Sequence, residues 1–432
     1  MPPKTVIVGN GISGITLARE LRKITENQII VISSETEHFF SRPALMYIYM
    51  GDMKYEHTKP YEDWFWEKNR IELIKAHVKE IHPSANKLIF EDQSELEYDE
   101  LVLATGSKSN KFGWPGQDLP GVQGFYSYPD LQQLEKNTQG IERAVIVGGG
   151  LIGVEVAEML LSRKINVTFL VRESGFWNIV LPGQEAAMIE REIREHHVDL
   201  RMQSNLKEII AGPDGRVAAV TVAETGERID CQLVALTVGV SPNIDFVKGS
   251  GIETERGILV DRYLRTNLPN VFAIGDCAQF KNPLPDRRPI EQVWYTGKLQ
   301  AEALAQNLAK TSGNSKELQE YEPGTWYNSA KFFTIEYQVY GNIPAVNPDS
   351  VDSFYWEHSS SKICLRINYE RETGFVLGIH GLGLRLRQDV CIGFIEKKMT
   401  LKDTVKNLKK AFFDPEFYRN YHKEIEAVFK AG

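Results

Sequence analysis

Sulfur is scarce in this chain: its 432 residues include four cysteines, Cys231, Cys277, Cys364 and Cys391. Their gaps of 46, 87 and 27 residues exclude a CxxC redox pair and a zinc-knuckle spacing. Few, scattered thiols fit a reducing compartment. Positive charge is short as well, with 50 Lys and Arg against 58 Asp and Glu and a net charge of −8. Such a chain lacks the basic face that general nucleic-acid binding requires, so no nucleic-acid partner is expected. Nor is there a run of the ~18 uncharged apolar residues that a membrane helix needs. The most apolar stretch, residues 144–161, is broken by Glu155, Glu158 and four glycines. The N-terminal segment carries one lysine before a short apolar run, without a signal-peptide cleavage pattern. A soluble, cytoplasmic chain with no membrane partner is the expectation. The nine histidines are dispersed, and the neighbours His196 and His197 cannot share one helix face, so no metal site is expected.

What the chain does have is a repeat. Residues 4–14 read KTVIVGNGISG and residues 143–153 read RAVIVGGGLIG. Each is a short β-branched run followed by G-x-G-x-x-G, namely Gly9, Gly11, Gly14 and Gly148, Gly150, Gly153. Each then opens an amphipathic stretch of helical period and a second strand, QIIVIS or NVTFLV. The two halves also close alike, at YDELVLATGSKSN (98–110) and CQLVALTVGVSPN (231–243), where an apolar strand runs into Gly106 or Gly239. Hairpin-like segments with the breakers PSAN and GPDG precede each closing strand. A third segment, residues 257–280, reads as a strand ending at Gly275–Asp276, continued by a helix from RRPIEQ onward. Its expected place is with the first copy, making that domain discontinuous. From Tyr321 the chain becomes strand-rich and aromatic, and three helical stretches, about 384–399, 401–412 and 415–430, end it.

In such a motif the first glycine permits the tight strand-to-helix turn and the second lets a pyrophosphate approach the backbone. The third lets helix and strand pack closely. The pyrophosphate then meets the free N–H groups of a helix N-terminus. An acid belongs at the end of the second strand to accept from a ribose hydroxyl. In copy one Glu35 stands 21 residues beyond Gly14, although Ser33–Ser34 leave room for a reader one position away. In copy two Arg172 and Glu173 conflict. Glu173 suits the 2′-hydroxyl of NAD, and Arg172 suits the 2′-phosphate of NADP. Asp276 ends an apolar strand, where ligand-facing residues of α/β sheets gather, or else caps the segment after it.

GNGISG with LATG, GGGLIGVE and NVFAIGDCA, in this order, resemble the flavoprotein pyridine nucleotide-disulfide oxidoreductase superfamily over roughly residues 4–310. FFSRPAL (39–45) and PGTWYNSAKF (323–332) are similar to stretches of its NADH–rubredoxin and ferredoxin reductase branch. The resemblance implies an α/β fold with two Rossmann-like nucleotide-binding domains, for FAD and NAD(P), plus a smaller α+β C-terminal domain. The boundaries would be 1–115 with 245–320 for FAD, 116–244 for NAD(P), and 321–432 for the C-terminal domain with its helical tail. It implies that Gly9, Gly11, Ser13, Gly14, Glu35, Arg42, Ala104, Thr105, Gly106 and Asp276 hold FAD, with Asp276 on the ribitol. NADH or NADPH would lie on Gly148, Gly150, Ile152, Gly153, Arg172 or Glu173, and Gly239. Glu155 would stand beside the nicotinamide and Trp326 on the flavin side; a surface glutamate and a core tryptophan are the plainer readings.

One departure carries weight. Disulfide-reducing members place one or two cysteines soon after the acid of the first copy, and residues 33–63 here contain none. The implied function is therefore hydride transfer from NAD(P)H to FAD, then direct electron delivery to an external acceptor such as rubredoxin or ferredoxin. An NADH oxidase or quinone reductase is the alternative, as is an interaction flavoprotein like apoptosis-inducing factor. Residues 396–432 hold nine Lys and Arg against six Asp and Glu, with Lys402, Lys406, Lys409 and Lys410 at helical spacing. That patch suits an acidic redox partner or is an ordinary solvated face. A homodimer is left open.

Overall fold

The computed structural model describes residues 2–285, 287–312 and 317–431. It forms two compact units: Met1–Asn110 with Gly124–Lys136 and Gly239–Pro323, and Lys111–Gln123 with Asn137–Val238 and Gly324–Gly432. The first unit is built on a five-stranded parallel sheet. Its spatial order is Val271–Ala273, Glu100–Leu103, Lys4–Val8, Gln28–Ser33 and Ile71–Lys75. Parallel strands are buried on both faces, which is why they read as unbroken apolar runs. Ile7, Val31 and Val102 face the helix Ile12–Ile24, through Leu17 and Leu21, and the helix Trp294–Ser312, through Leu304 and Leu308. Val6, Val8, Ile30, Ile32, Leu101 and Leu103 face the other way, onto Leu88 and Phe90 of a three-stranded antiparallel ribbon.

The second unit repeats this plan. Its parallel sheet runs Val122–Gln123, Leu233–Leu236, Arg143–Val147, Asn166–Leu170 and Asp199–Arg201. The closing strand, the glycine strand and the next two occupy the same places as in the first sheet. The fifth strand differs in origin: it comes from downstream in the first sheet (271–273) and from upstream in the second (122–123). The same unit holds an antiparallel sheet ordered Tyr327–Phe332, Ile335–Gly341, Val376–Leu382, Cys364–Glu370 and Val351–Glu357. One face of it carries Leu365, Ile367 and Ile379, packed with Phe394, Leu408 and Ile425 of the closing helices. Its other face carries Arg366, Asn368 and His380 beside the buried Phe332, Tyr337 and Leu382. Arg366 there donates to Glu185 at 2.6 and 3.0 Å, and His380 Nδ1 lies 3.4 Å from the same carboxylate. Glu185 sits on the helix Gly183–Glu195 and is fully buried, so this cluster fastens that helix to the sheet. Burial alone would raise the Glu185 pKa, but His380 and Arg366 outweigh it and hold the carboxyl below its ordinary value.

Several element ends differ from expectation. The helix expected from RRPIEQ begins only at Trp294; before it the chain is irregular, and the Pro289 carbonyl accepts from Phe280 N–H at 2.9 Å rather than from a helical N–H. The three closing helices shorten to Gln388–Glu396, Leu401–Asn407 and His422–Ala431. Leu386 instead bridges Phe412, and the last helix starts where Asn420 Oδ1 accepts from His422 N–H at 3.1 Å. Segment 124–136, placed by sequence with the second copy, groups with the first unit.

Candidate functional site

Each unit carries one glycine turn, and the three glycines in it have different reasons. Gly9 has φ +118°, and a Cβ there would lie 2.1 Å from the Ala104 carbonyl oxygen. A Cβ on Gly14 would lie 1.9 Å from the Gly9 carbonyl oxygen. Both are demanded by the protein itself. Gly11 is not: its φ is −70°, and a Cβ there would meet nothing within 4 Å. It stands at the N-terminus of Ile12–Ile24, which has no side-chain cap and no acid in its first turn. The first intrahelical bond is Ile15 N–H to Gly11 O at 3.0 Å, so the N–H groups before it point outward.

The second turn repeats this division. A Cβ on Gly148, whose φ is +112°, would lie 2.6 Å from Thr237 O, and one on Gly153 would lie 2.5 Å from Phe169 Cζ. Gly150 has φ −115° and, like Gly11, open space where its Cβ would stand. It begins Leu151–Ser162, again without a cap or an acid in the first turn. The middle glycine of each turn thus keeps clear a space that the fold does not use. A pyrophosphate lying against the helix N-terminus needs that space.

Around the first turn the structure brings most of the expected residues together. Arg42 makes a bidentate pair with Glu35, at 2.9 and 2.7 Å. Burial opposes the guanidinium charge, yet Glu35 more than offsets this and leaves the Arg42 pKa above its ordinary value. Ser13 is buried in the first helical turn, and a Cβ on Gly275 or on Gly297 would come within 2.4 Å of its Oγ. Thr105 Oγ1 donates to Asn243 O at 2.8 Å, and Gly106 turns the chain at φ +67°. Asp276 does not cap the segment after it. Its Oδ2 accepts from Ser107 Oγ at 3.0 Å and from the Tyr126 hydroxyl at 3.2 Å. Burial raises the Asp276 pKa, opposed by these two donors and by Arg42.

In the second unit Ile152 lies in the first turn of its helix. Arg172 is largely exposed and donates to Glu173 Oε1 at 2.8 Å. Glu155 is partly exposed, yet its pKa is pushed up to about 7, by burial first and then by Glu158 one turn on. Glu158 is itself paired with Lys331 at 2.8 Å. Trp326 precedes the C-terminal sheet, its carbonyl accepting from Gly341 N–H at 2.7 Å. Gly239 groups with the first unit, where its carbonyl accepts from Asn110 N–H at 3.1 Å.

A model of the pyridine nucleotide-disulphide oxidoreductase family matches residues 3–301. The chain belongs to this family. Rubredoxin-NAD(+) reductase of Acinetobacter baylyi is 30% identical over 70% of this chain and 78% of its own length. A Bacillus subtilis NAD(P)H nitrite reductase is 29% identical over 64% of this chain, which spans only 34% of that larger protein. Among solved structures, a ferredoxin reductase from Rhodopseudomonas palustris shares the fold, with a TM-score of 0.79 at 21% identity over 98% of this chain and 99% of that one.

Sequence reasoning missed four residues of the first site in this family member. Asn10 is buried and donates to Thr36 O at 2.8 Å, tying the glycine turn to the loop after Glu35. Ser107 and Tyr126 hold Asp276, and Gln292 Nε2 donates to Ser107 Oγ at 2.8 Å. One signal was readable: SYPD at 127–130 is a capping box that marks a helix start beside Tyr126.

Proposed function

We propose that this chain is an FAD-dependent NAD(P)H oxidoreductase that hands electrons directly from the flavin to an external acceptor, a small redox protein of the rubredoxin or ferredoxin kind. The observation that carries the reading is the pair of middle glycines, Gly11 and Gly150, which neither backbone geometry nor packing requires. FAD would lie on Gly9, Gly11, Gly14, Glu35, Arg42 and Asp276, and a nicotinamide dinucleotide on Gly148, Gly150, Gly153 and Glu173. FAD supplies two-electron uptake from a nicotinamide and stepwise release, chemistry no side chain here offers. The chain's own part is to bind, orient and exclude. Helix N–H groups receive phosphate, Asp276 accepts from ribitol hydroxyls, and Glu155, neutral or charged near pH 7, tunes charge at the nicotinamide end. The Arg172–Glu173 pair favours NADH, because a carboxylate receives a 2′-hydroxyl and repels a 2′-phosphate.

The acceptor is read from the tail. Lys402, Lys406, Lys409 and Lys410 are exposed and have no ion-pair partner among the described residues, and Phe417 beyond them is 81% exposed. Such a face on an otherwise acidic chain suits an acidic partner. The test is anaerobic titration of the purified full-length protein with NADH, then a panel of acceptors at several ionic strengths. Bleaching of a yellow protein, with acceptor reduction that falls steeply with salt and in the variant Lys406→Glu with Lys410→Glu, is the expected result. A colourless protein that takes up no FAD would overturn the reading; a salt-independent rate would remove the acidic partner from it.

A further inference from the structure

The segment Gly124–Lys136 belongs to the first unit, although the chain on either side, Lys111–Gln123 and Asn137–Val238, belongs to the second. Its opening turn is locked. The N–H groups of Tyr126 and Ser127 donate to Asp130 Oδ2 at 2.9 and 2.8 Å, and Asp130 N–H returns to Ser127 Oγ at 3.2 Å. From this one turn, contacts reach both carboxylates of the first site. Tyr128 N–H donates to Glu35 Oε1 at 2.7 Å. The Tyr126 hydroxyl donates to Asp276 Oδ2 at 3.2 Å and accepts from Ser107 N–H at 3.1 Å. Between the two lies Arg42. Its Nη1 donates to the Tyr126 carbonyl at 2.8 Å, and its guanidinium stands 4.7 Å from the Tyr126 ring centre.

We propose that Tyr126 is a positioning residue of the FAD site, fixing the Asp276 carboxylate for the ribitol while its ring and carbonyl hold the Arg42–Glu35 pair at the adenosine end. The inference rests on the FAD reading above. Packing alone does not account for the residue, since a phenylalanine fills the same volume and the hydroxyl is the atom that meets Asp276 and Ser107. The titratable and charged groups facing Asp276 are Tyr126 and Arg42; Ser107 is a neutral donor, and the thiol of the adjacent Cys277 lies in the sheet core. Tyr126 itself is held protonated, its pKa raised by burial and then by Asp276, so the hydroxyl remains a donor.

The test is FAD retention by the full-length holoprotein on dialysis across a pH series. Tyr126→Phe is expected to weaken retention roughly tenfold, the usual scale for a hydrogen bond to a charged group. It should also move the acid limb of binding to higher pH, because Asp276 loses a donor that favours its ionised form. Ser107→Ala, which removes the other side-chain donor, should move that limb the same way. Tyr128→Phe keeps the N–H to Glu35 and should change neither quantity. In Asp276→Asn the acid limb should vanish, and adding Tyr126→Phe should cost nothing further. Wild-type retention and acid limb in folded Tyr126→Phe, or additivity with Asp276→Asn, would overturn the inference. A wild-type protein that binds no FAD overturns the parent reading, and this inference with it.

Discussion

Glu155 offers the most direct measurement of how the second unit treats charge. Its pKa in the folded chain is about 7, against 4.5 for a free glutamate, with burial the larger cause and Glu158 the second. A group whose pKa rises on folding favours the folded state least where it must be ionised. Its penalty, relative to a neutral residue of the same shape, is absent below about pH 4.5, grows as pH rises, and is complete above about pH 7. At about 1.4 kcal/mol per unit, the full penalty is about 3 kcal/mol. Glu155→Gln is therefore expected to stabilise the protein by about 1 kcal/mol at pH 5.5 and by about 3 kcal/mol at pH 8.5. In a domain of 150–250 residues the larger value is roughly 6–12 °C in melting temperature. Thermal melts of wild type and Glu155→Gln at the two pH values, without nicotinamide, make the measurement. Equal stabilisation at both, or none at pH 8.5, would refute the claim that Glu155 is charged at a cost. The partial counterpart, Glu158→Gln, should lower the Glu155 pKa by removing its second cause.

The glycine argument makes a paired prediction. Gly11→Ala should leave the melting temperature within a few degrees of wild type and weaken FAD binding, whereas Gly14→Ala, whose Cβ would stand 1.9 Å from a backbone oxygen, should lower the yield of folded protein. Arg366→Met should strand the fully buried Glu185, at a cost of about 3–5 kcal/mol readable in urea melts. Because Glu185 is held below its ordinary pKa, the stability it contributes is present at neutral pH and lost as pH falls, so the gap between wild type and variant should narrow in acid. Glu173→Gln should narrow the kcat/KM ratio of NADH to NADPH, and Arg172→Ala should raise the NADPH KM with little effect on NADH; steady-state kinetics with both donors checks the pair.

The repeat was legible because its constraints are local. A Gly9 carbonyl pressed against Gly14, five residues away, leaves a trace in six consecutive letters, and so does the β-branched run before them. The acid just past each second strand follows from its distance beyond the third glycine of each motif, Gly14 or Gly153. Tyr126 was not legible, since nothing near it in sequence indicates that residues 124–136 leave the second unit's chain to pack with Asp276, 150 residues on. The misread helix start at Trp294 has the same origin. Residues 287–293 carry no strong breaker except Pro289, and the bond of its carbonyl to Phe280 N–H, which holds them out of the helix, is made only in the folded chain. Glu155 was visible as a residue and its charge state was not, because burial is a property of the packed helix Leu151–Ser162.

The family's name contains a disulphide, and the four thiols here show why that chemistry does not pass through this chain's cysteines. All are free and buried, with at most 2% of their surface exposed. A thiol exchanges electrons as an accessible thiolate, favoured by nearby positive charge or a helix N-terminus. Every one of these is pushed the other way. Burial raises Cys231 to about 12 and lifts Cys364 and Cys391 further, and it raises Cys277 too, whose Sγ donates to Leu103 O at 3.3 Å. Cys277 follows Asp276 directly, so it is the thiol nearest in sequence to the proposed flavin residues, yet its side chain points into the sheet core with Val271 and Ala273. The same turn thus sends a carboxylate toward Ser107 and Tyr126 and a thiol away from them.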